Sequence, residues 1–387
     1  MKKVLLSEIT SFLARGAAPK YTEKDDFYAL NQKCIRDWRV SLKDARFTDT
    51  EAKKVHDDRI LRDNDILVNS TGQGTLGRVA QFLKLDRPAT VDSHITIVRP
   101  TPELVFPEYL GYVLKGRQNE IELLAEGSTG QTELSKLKLA NLSIDLPPLG
   151  QQKKIANILG SLDEKIELNR RMNKTLEQLG QALFRHYFVY NPEVRSWESG
   201  EVSGMVRIYS GFAFKSKDFD ISGKYGLVTI KNVQDGSFIK DCTDRLSEPS
   251  PDKTPEYVHL KSGDIILSLT GNVGRVCIVV GRDYLLNQRV AKLASDESQA
   301  YVYFLFRSKT MKDRMVGISK GTAQKNLSLI ETGKLKIKIP PTNIMSQFEE
   351  NAIELLNMIV SNNEQIQTLT SLRDSLLPKL ISGDIKV

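Results

Sequence analysis

Two proline pairs, almost half the chain apart, each stand at the head of the same long helical pattern: Leu146-Pro147-Pro148 recurs as Ile339-Pro340-Pro341, an offset of 193 (residue 339 against 146). After the first pair, Ile155, Leu159, Leu162, Ile166, Asn169 and Leu176 form one row. Its steps of four and three, completed by Asn173 between Asn169 and Leu176, are the seam of a coiled coil rather than the wider stripe of an ordinary surface helix. Proline has a fixed φ and no N–H, so it is tolerated where a helix begins. At the same offset, without a gap, the row maps onto Phe348, Ala352, Leu355, Ile359, Asn362 and Leu369. The 387 residues are close to twice that offset, so the chain reads as a tandem duplication in which each half ends in a long helix.

About forty residues at ~1.5 Å rise give a rod on the order of 60 Å. Such a helix is marginal alone, because helices owe most of their stability to packing. The second copy supplies the partner; if the two pair antiparallel, the duplicated chain has approximate twofold symmetry. Asn169 and Asn362 occupy matching seam positions, where a buried polar group costs stability but fixes register; the alternative is a solvent-facing Asn on an imperfect seam. Ser346-Gln-Phe-Glu349 has the pattern of a capping box and is expected to open the second helix, which runs toward Pro378 and stops before Ser382-Gly383.

The segments before each helix read as mixed α/β modules. Strands are expected at 65–69, 93–98 and 142–146, and a helix at 108–114, with Gly, Asn, Asp and Pro between them. The expected boundaries are a first module over 1–145, a helix over 146–190, a second module over 191–339 and a second helix over 340–387. The modules repeat with less fidelity than the helices. Ile35-Arg36-Asp37 answers to Val233-Gln234-Asp235, Asp65-Ile66 to Asp264-Ile265, and Thr71-Gly72 to Thr270-Gly271. Arg78-Val79 answers to Arg275-Val276, His94-Ile95 to Arg289-Val290, and Thr129-Gly-Gln-Thr-Glu-Leu-Ser135 to Thr322-Ala-Gln-Lys-Asn-Leu-Ser328. Scaffold positions persist between the copies while loop residues diverge.

Bulk properties exclude several classes. Cys34, Cys242 and Cys277 are odd in number and far apart, which fits reduced cytosolic thiols without a disulfide frame. His56, His94, His186 and His259 are scattered, so no metal spacing appears. No run approaches the ~18 apolar residues of a membrane span, and polar residues interrupt the start of the chain before a signal peptide can form. A formal net charge of +7 permits polyanion binding without requiring it.

Chemical motifs are discounted in turn. Gly72-Gln-Gly74-Thr-Leu-Gly77 spells a dinucleotide-type G-x-G-x-x-G after a strand. The answering turn, Thr270-Gly-Asn-Val-Gly274-Arg275, lacks the spacing, and no acidic residue stands about 20 positions beyond Gly77. Both copies keep Thr-Gly followed by Gly-Arg, a tight turn presenting a hydroxyl and a guanidinium. No Walker loop, nucleophile elbow, zinc-protease helix or Asn-Pro-Pro-aromatic methyltransferase motif occurs. The chain is expected to have no catalysis, metal or cofactor of its own.

The diverging loop residues are instead the types that contact DNA, with Arg and Lys suited to guanine, Asn and Gln to adenine, and hydroxyls to phosphate. In the first module the candidates are Lys33, Arg36, Trp38, Arg39, Thr71, Gln73, Arg78, His94 and Gln131. In the second they are Lys231, Asn232, Gln234, Thr270, Asn272, Arg275, Gln288, Arg289, Gln324 and Lys325. Singly, each is as well read as solvated surface; the duplication favours DNA for the set.

Leu146-Pro-Pro-Leu-Gly-Gln-Gln-Lys-Lys-Ile155, Leu162-Asp-Glu-Lys-Ile-Glu-Leu-Asn169 with Asn173, and Leu183-Phe-Arg-His-Tyr-Phe-Val189 resemble the specificity subunit of type I restriction–modification systems. Leu67 to Val79 and Leu267 to Val276 resemble the strand and Thr-Gly turn of that family's target-recognition domains. The resemblance covers the whole chain; Thr342-Asn-Ile-Met-Ser346 and Pro378 depart from its pattern. It implies an α/β fold of two target-recognition domains joined by an antiparallel coiled coil, pseudo-twofold, in the cytoplasm. Each domain would read one half of a split, asymmetric site in double-stranded DNA. Two modification subunits would dock and methylate adenine from S-adenosylmethionine, and restriction subunits using ATP and magnesium would translocate and cut. None of those cofactors would bind this chain. A duplicated protein-interaction scaffold that touches no bases is the alternative.

Overall fold

The computed structural model describes residues 2–24, 26–127, 132–247, 254–321 and 325–387. The chain forms two compact units, 1–164 with 369–387 and 165–368. Each long helix therefore contributes a stretch to both units. The first runs over Leu149–Phe188 and the second over Thr342–Ser382.

In the first unit, one antiparallel sheet has the order Thr10–Arg15, Ile95–Pro100, Ile66–Asn69, Val79–Gln81. A second has the order Ala89–Val91, Tyr28–Leu30, Arg46–Thr48, Tyr21–Thr22, with its first pair parallel. Lys2–Leu5 pairs with Ser143–Leu146, and Ile35–Arg36 forms a small hairpin with Arg39–Val40. The second unit repeats this plan. Arg207–Ser210, Val290–Ala294, Ile265–Ser268 and Val276–Ile278 reproduce the first sheet strand for strand. Tyr225–Val228 lies parallel to Tyr284–Leu286 in the second sheet, flanked by Arg245–Leu246 and His259–Leu260. Ser199–Glu201 pairs with Lys336–Lys338, and Val233–Gln234 with Ser237–Phe238.

The central strands read as unbroken apolar runs because both their faces are covered, and successive side chains point to opposite faces. Ile66 and Val68 enter one core and Leu67 the other. Ile265 and Leu267 divide from Ile266 in the same way.

The long helices close one core in each unit. In the first, Ile155, Ala156 and Leu159 meet Leu377 and Leu380 together with Tyr109, Leu110, Val113 and Leu114 of the helix Pro107–Gly116. In the second, Phe184 meets Phe348, Ala352, Leu356 and Ile359 and the helix Gln299–Arg307. The partners ascend one helix as they descend the other, the antiparallel arrangement expected. Ile155, Leu159, Ile166, Asn169, Phe348, Ala352, Ile359 and Asn362 are buried, while Leu162, Leu176 and Leu369 are half-buried. Leu355 is half-buried too, and Leu356 enters the core in its stead. Facing residues after Ala352 step by four before stepping by three, which the gap-free mapping did not allow for.

Asn169 is fully buried and Asn362 is 7% exposed. Asn169 Nδ2 donates to Gln365 Oε1 at 3.1 Å, Asn362 Nδ2 to Asn173 Oδ1 at 2.9 Å, and Asn173 Nδ2 to Asn363 Oδ1 at 3.0 Å. Asn169 Oδ1 has no partner, so this polar layer carries a desolvation cost of ~1–3 kcal/mol.

The expected capping box does not form. The second helix already begins at Thr342, which places Ser346 and Glu349 inside it. Glu349 instead accepts from Ala300 N at 2.7 Å and Tyr301 N at 3.1 Å, capping the helix Gln299–Arg307. In the first unit, Gln152 of the first long helix accepts from Phe106 N at 2.8 Å, at the head of Pro107–Gly116. Both module helices thus take a cap from a long helix, satisfying donors that would otherwise be orphaned. Pro378 is accommodated within the second helix, which ends before Gly383 at φ 84°.

Two glycines of the first long helix have opposite environments. A Cβ on Gly180 would lie 2.0 Å from the Phe304 ring, whereas one on Gly160 meets only Tyr112 Oη at 4.0 Å. Gly180→Ala should destabilise by ~1–3 kcal/mol through overpacking, and Gly160→Ala should stabilise by ~0.5–1 kcal/mol through helix propensity. Urea midpoints of the two variants moving in opposite directions is the expected result.

Candidate nucleic-acid interface

The Thr-Gly turns sit at the ends of the central strands and are shaped by glycine. Gly72, Gly74 and Gly77 have φ of 100°, 70° and 82°, and Gly271 and Gly274 have φ of 69° and 78°. Side chains rarely adopt these angles. Leu76 N donates to Gly72 O at 2.9 Å and Gly274 N to Ser268 O at 3.1 Å, closing each turn on its own backbone. The glycines serve turn geometry in both copies, which accounts for the G-x-G-x-x-G spelling without a nucleotide.

Around each turn the fold gathers segments distant in sequence. In the first unit the buried Asn69 amide donates to Gln32 O at 2.9 Å and to Thr75 O at 3.1 Å, which draws the 32–36 segment against the turn. Thr71 Oγ1 shares a 2.6 Å hydrogen bond with His94 Nδ1, and Thr71 bridges to Glu133. Lys33, Arg36, Gln73 and His94 are exposed there. In the second unit Leu269 N donates to Arg289 O at 3.1 Å, Gly271 N to Lys325 O at 3.1 Å, and Thr270 bridges to Asn326. Lys231, Asn272, Gln288, Arg289 and Lys325 are exposed. Four equivalent segments therefore converge in each unit, with unlike residues facing out.

Other sequence candidates are placed differently. Asn232 is a correction: it is 2% exposed. Its oxygen accepts from Thr229 N at 2.9 Å, and its nitrogen donates to Ile239 O at 2.9 Å and Asp241 O at 3.0 Å, so it holds its own loop. Trp38 is half-buried, with the Arg373 guanidinium 4.2 Å over its ring. The turn guanidiniums point back into the protein rather than outward. Arg78 donates to Gly74 O at 2.8 Å and Ile35 O at 3.4 Å, and Arg275 to Gln234 Oε1 at 2.7 Å. Gln234 also donates to Lys231 O at 3.0 Å. Thr270 Oγ1 is buried without a partner. Arg39 is half-buried, near enough to Lys115 of the helix Pro107–Gly116 to act on its charge. Gln131 and Gln324 lie outside the described residues.

Sequence reasoning missed Arg15, which donates to Leu134 O at 2.8 Å and pairs with Glu133 beside the first turn. It also missed Arg307, whose partners Glu177 and Asp235 lie far away in sequence, and Arg373, which binds its neighbour Asp374 and also the distant Asp163. No local pattern announces such contacts. The only signal is that Lys115 and Arg307 fall at the same position of the repeated helix.

Burial raises the Cys34 and Cys242 thiols to about 11 and Cys277 to about 12, so these are poor thiolates. Among the described residues, no group of His, Cys, Asp and Glu could hold a metal, and no helix is long and apolar enough to cross a membrane.

Two four-segment loop clusters on a duplicated frame describe a protein that presents variable side chains from a fixed scaffold. Residues 17–178 and 195–365 match the type I restriction modification DNA specificity domain, and the chain belongs to that family. It is 25% identical to the HindI specificity subunit of Haemophilus influenzae, over 84% of this chain and 88% of that protein. It is 28% identical to the MjaIX specificity subunit of Methanocaldococcus jannaschii, over 73% of this chain and 70% of that one. A type I restriction–modification S subunit from M. genitalium shares the fold, with a TM-score of 0.60 and 18% identity over 98% of this chain and 95% of the other.

One buried cation is explained by structure rather than chemistry. Lys115 is 7% exposed, with Nζ 4.6 Å from the Tyr112 ring centre. Burial lowers its pKa to about 8, opposed by Asp163 and helped by Arg373 and Arg39. The folded chain thus binds fewer protons here than the unfolded chain at pH values between about 8 and the ordinary lysine value of 10.5. The resulting penalty is complete below pH 8 and fades as the pH rises toward 10.5. Lys115→Met should therefore be more stable than the parent at pH 7 by roughly 2–3 kcal/mol. That gain should shrink across pH 8 to 10 in urea titrations at stepped pH.

Proposed function

We propose that this chain is the DNA-reading subunit of a type I restriction–modification enzyme and has no catalysis of its own. Each module reads one half of a bipartite, asymmetric site in double-stranded DNA. The long helices set the spacer between the halves and, with the modules, carry two modification subunits; restriction subunits complete the enzyme. S-adenosylmethionine, ATP and magnesium belong to those partners, and the complex acts in the cytoplasm. The observation that carries this reading is that two copies of one loop frame present unlike residues, Gln73 and His94 in one and Asn272 and Arg289 in the other. Unlike readers on like frames require unlike half-sites, so the target is not a palindrome. A scaffold that touches no bases would have no use for divergent Arg, Gln and Asn at equivalent outward positions.

Duplex DNA should bind with a steep loss of affinity as salt rises, because each neutralised phosphate releases counterions. Exchanging residues 1–145 for the corresponding module of another such subunit should change one half-site and leave the other, read by sequencing methylated DNA. If both halves change, the modules do not read independently. Inserting about seven residues, roughly two turns, into each long helix should lengthen the spacer and preserve both half-sites. Altered half-sites in the same methylation map would count against the helices as a ruler.

A further inference from the structure

We propose that Arg78 and Arg275 are positioning residues of the two reading turns, each acting through a bracket that ties its turn to a long helix. This rests on the DNA-reading function above and deepens it.

In the first unit the bracket starts with Arg78, whose guanidinium donates to Gly74 O inside the turn and to Ile35 O in the neighbouring hairpin. The tip of that hairpin is Asp37-Trp38, both left-handed, with φ of 52° and 62°. Non-glycine residues, bulky ones above all, hold such angles only when their surroundings over-determine them. Here the Trp38 ring lies under the Arg373 guanidinium at 4.2 Å. Arg373 Nη1 in turn donates to Asp163 Oδ1 at 2.6 Å, and Tyr112 Oη donates to Asp163 Oδ2 at 2.7 Å. The path runs from turn to hairpin to tip, then through an arginine to a carboxylate on the first long helix.

The second unit builds the same path from other residues. Arg275 donates to Gln234 in the hairpin Val233–Gln234 with Ser237–Phe238. At its tip Asp235 pairs with Arg307 and, at 2.7 Å, with Lys312. Gly236 follows at φ 77°, where a Cβ would lie 2.7 Å from Arg307 Nη2. Arg307 Nε donates to Glu177 Oε1 at 3.1 Å, and Tyr303 Oη donates to Glu177 Oε2 at 2.7 Å. An aromatic tip under a guanidinium in one copy is a carboxylate tip against a guanidinium in the other.

A guanidinium committed to protein acceptors has lost the free fork that reads guanine. What the two brackets share is the path, although the side chains along it have diverged. That path serves what the modules have in common, a turn whose outward donors must be held to within about 0.5 Å to discriminate bases.

The test uses the full-length chain in complex with its modification subunits and a library of randomised DNA duplexes, with bound duplexes sequenced. Arg78→Met and, far from the turn, Arg373→Met should each blur the base preferences of one half-site and leave the other half sharp. Combined, they should blur it no further, and Arg275→Met should blur the opposite half. The slope of log affinity against log salt should not change in any of them. A slope lower by about one unit with an intact motif would make Arg78 a phosphate contact, and a new but equally sharp motif would make it a base contact; either overturns the proposal. Should Arg78→Met not fold, Arg373→Met decides, and a sharp motif there also overturns it. An unmutated complex that enriches no motif is a separate outcome and refutes the DNA-reading function itself.

Discussion

A helix of forty residues cannot hold itself straight in water, and everything else in this protein depends on how its apolar edge is covered. The long helices bury that edge against each other and against one helix of each module. Ile155 and Leu159 pack with Leu377, Leu380 and Tyr109 in the first unit, and Phe184 with Phe348, Ile359 and Phe304 in the second. Because the same residues finish a module core and a helix seam, module and rod cannot fold as separate bodies. The caps reinforce this: Gln152 and Glu349 leave the long helices to satisfy the exposed N–H groups of the module helices. A polar side chain in each long helix thus fixes where its module helix begins.

The polar layer at Asn169, Asn173, Asn362, Asn363 and Gln365 works in the opposite sense. A hydrocarbon seam tolerates sliding by a whole heptad, because one leucine covers another nearly as well. Amides do not, since a slipped register would strand several buried donors and acceptors. The unpartnered Asn169 Oδ1 shows that even the native register leaves one group unsatisfied. Stability is given up for a single alignment, the exchange a spacer of fixed length requires.

The legible part of the fold was whatever is local or repeated. The proline pairs, the seam and the gap-free offset gave both long helices, while their antiparallel pairing came only with the family resemblance. The segment 65–69 gave one central strand, the match of Asp65-Ile66 to Asp264-Ile265 pointed to its counterpart, and the two copies of the Thr-Gly turn gave the frame of the reading loops. What could not be read was set by distant partners. Glu349 had the local pattern of a capping box, yet its carboxylate serves another helix about fifty residues away in sequence. Leu355 and Leu356 are indistinguishable by type, and only the drift of a 3.6-residue helix decides which turns inward. Arg78, Arg275 and Asn232 are the residue types that contact DNA, but the same hydrogen-bonding capacity lets them serve the protein's own backbone, and sequence does not show which way a guanidinium or amide faces.

The edge strands carry one more consequence. Lys2–Leu5 lies antiparallel to Ser143–Leu146, and Ser199–Glu201 to Lys336–Lys338, so each module enters and leaves through adjacent strands. A segment whose two ends are already side by side can be excised and replaced by recombination without moving the ends it is spliced to. The incoming cassette must supply the two paired strands and a helix that takes its cap from the long helices and packs on them. Genetic exchange of one half can thus create a new target in a single event while the rest of the assembly stays in working order.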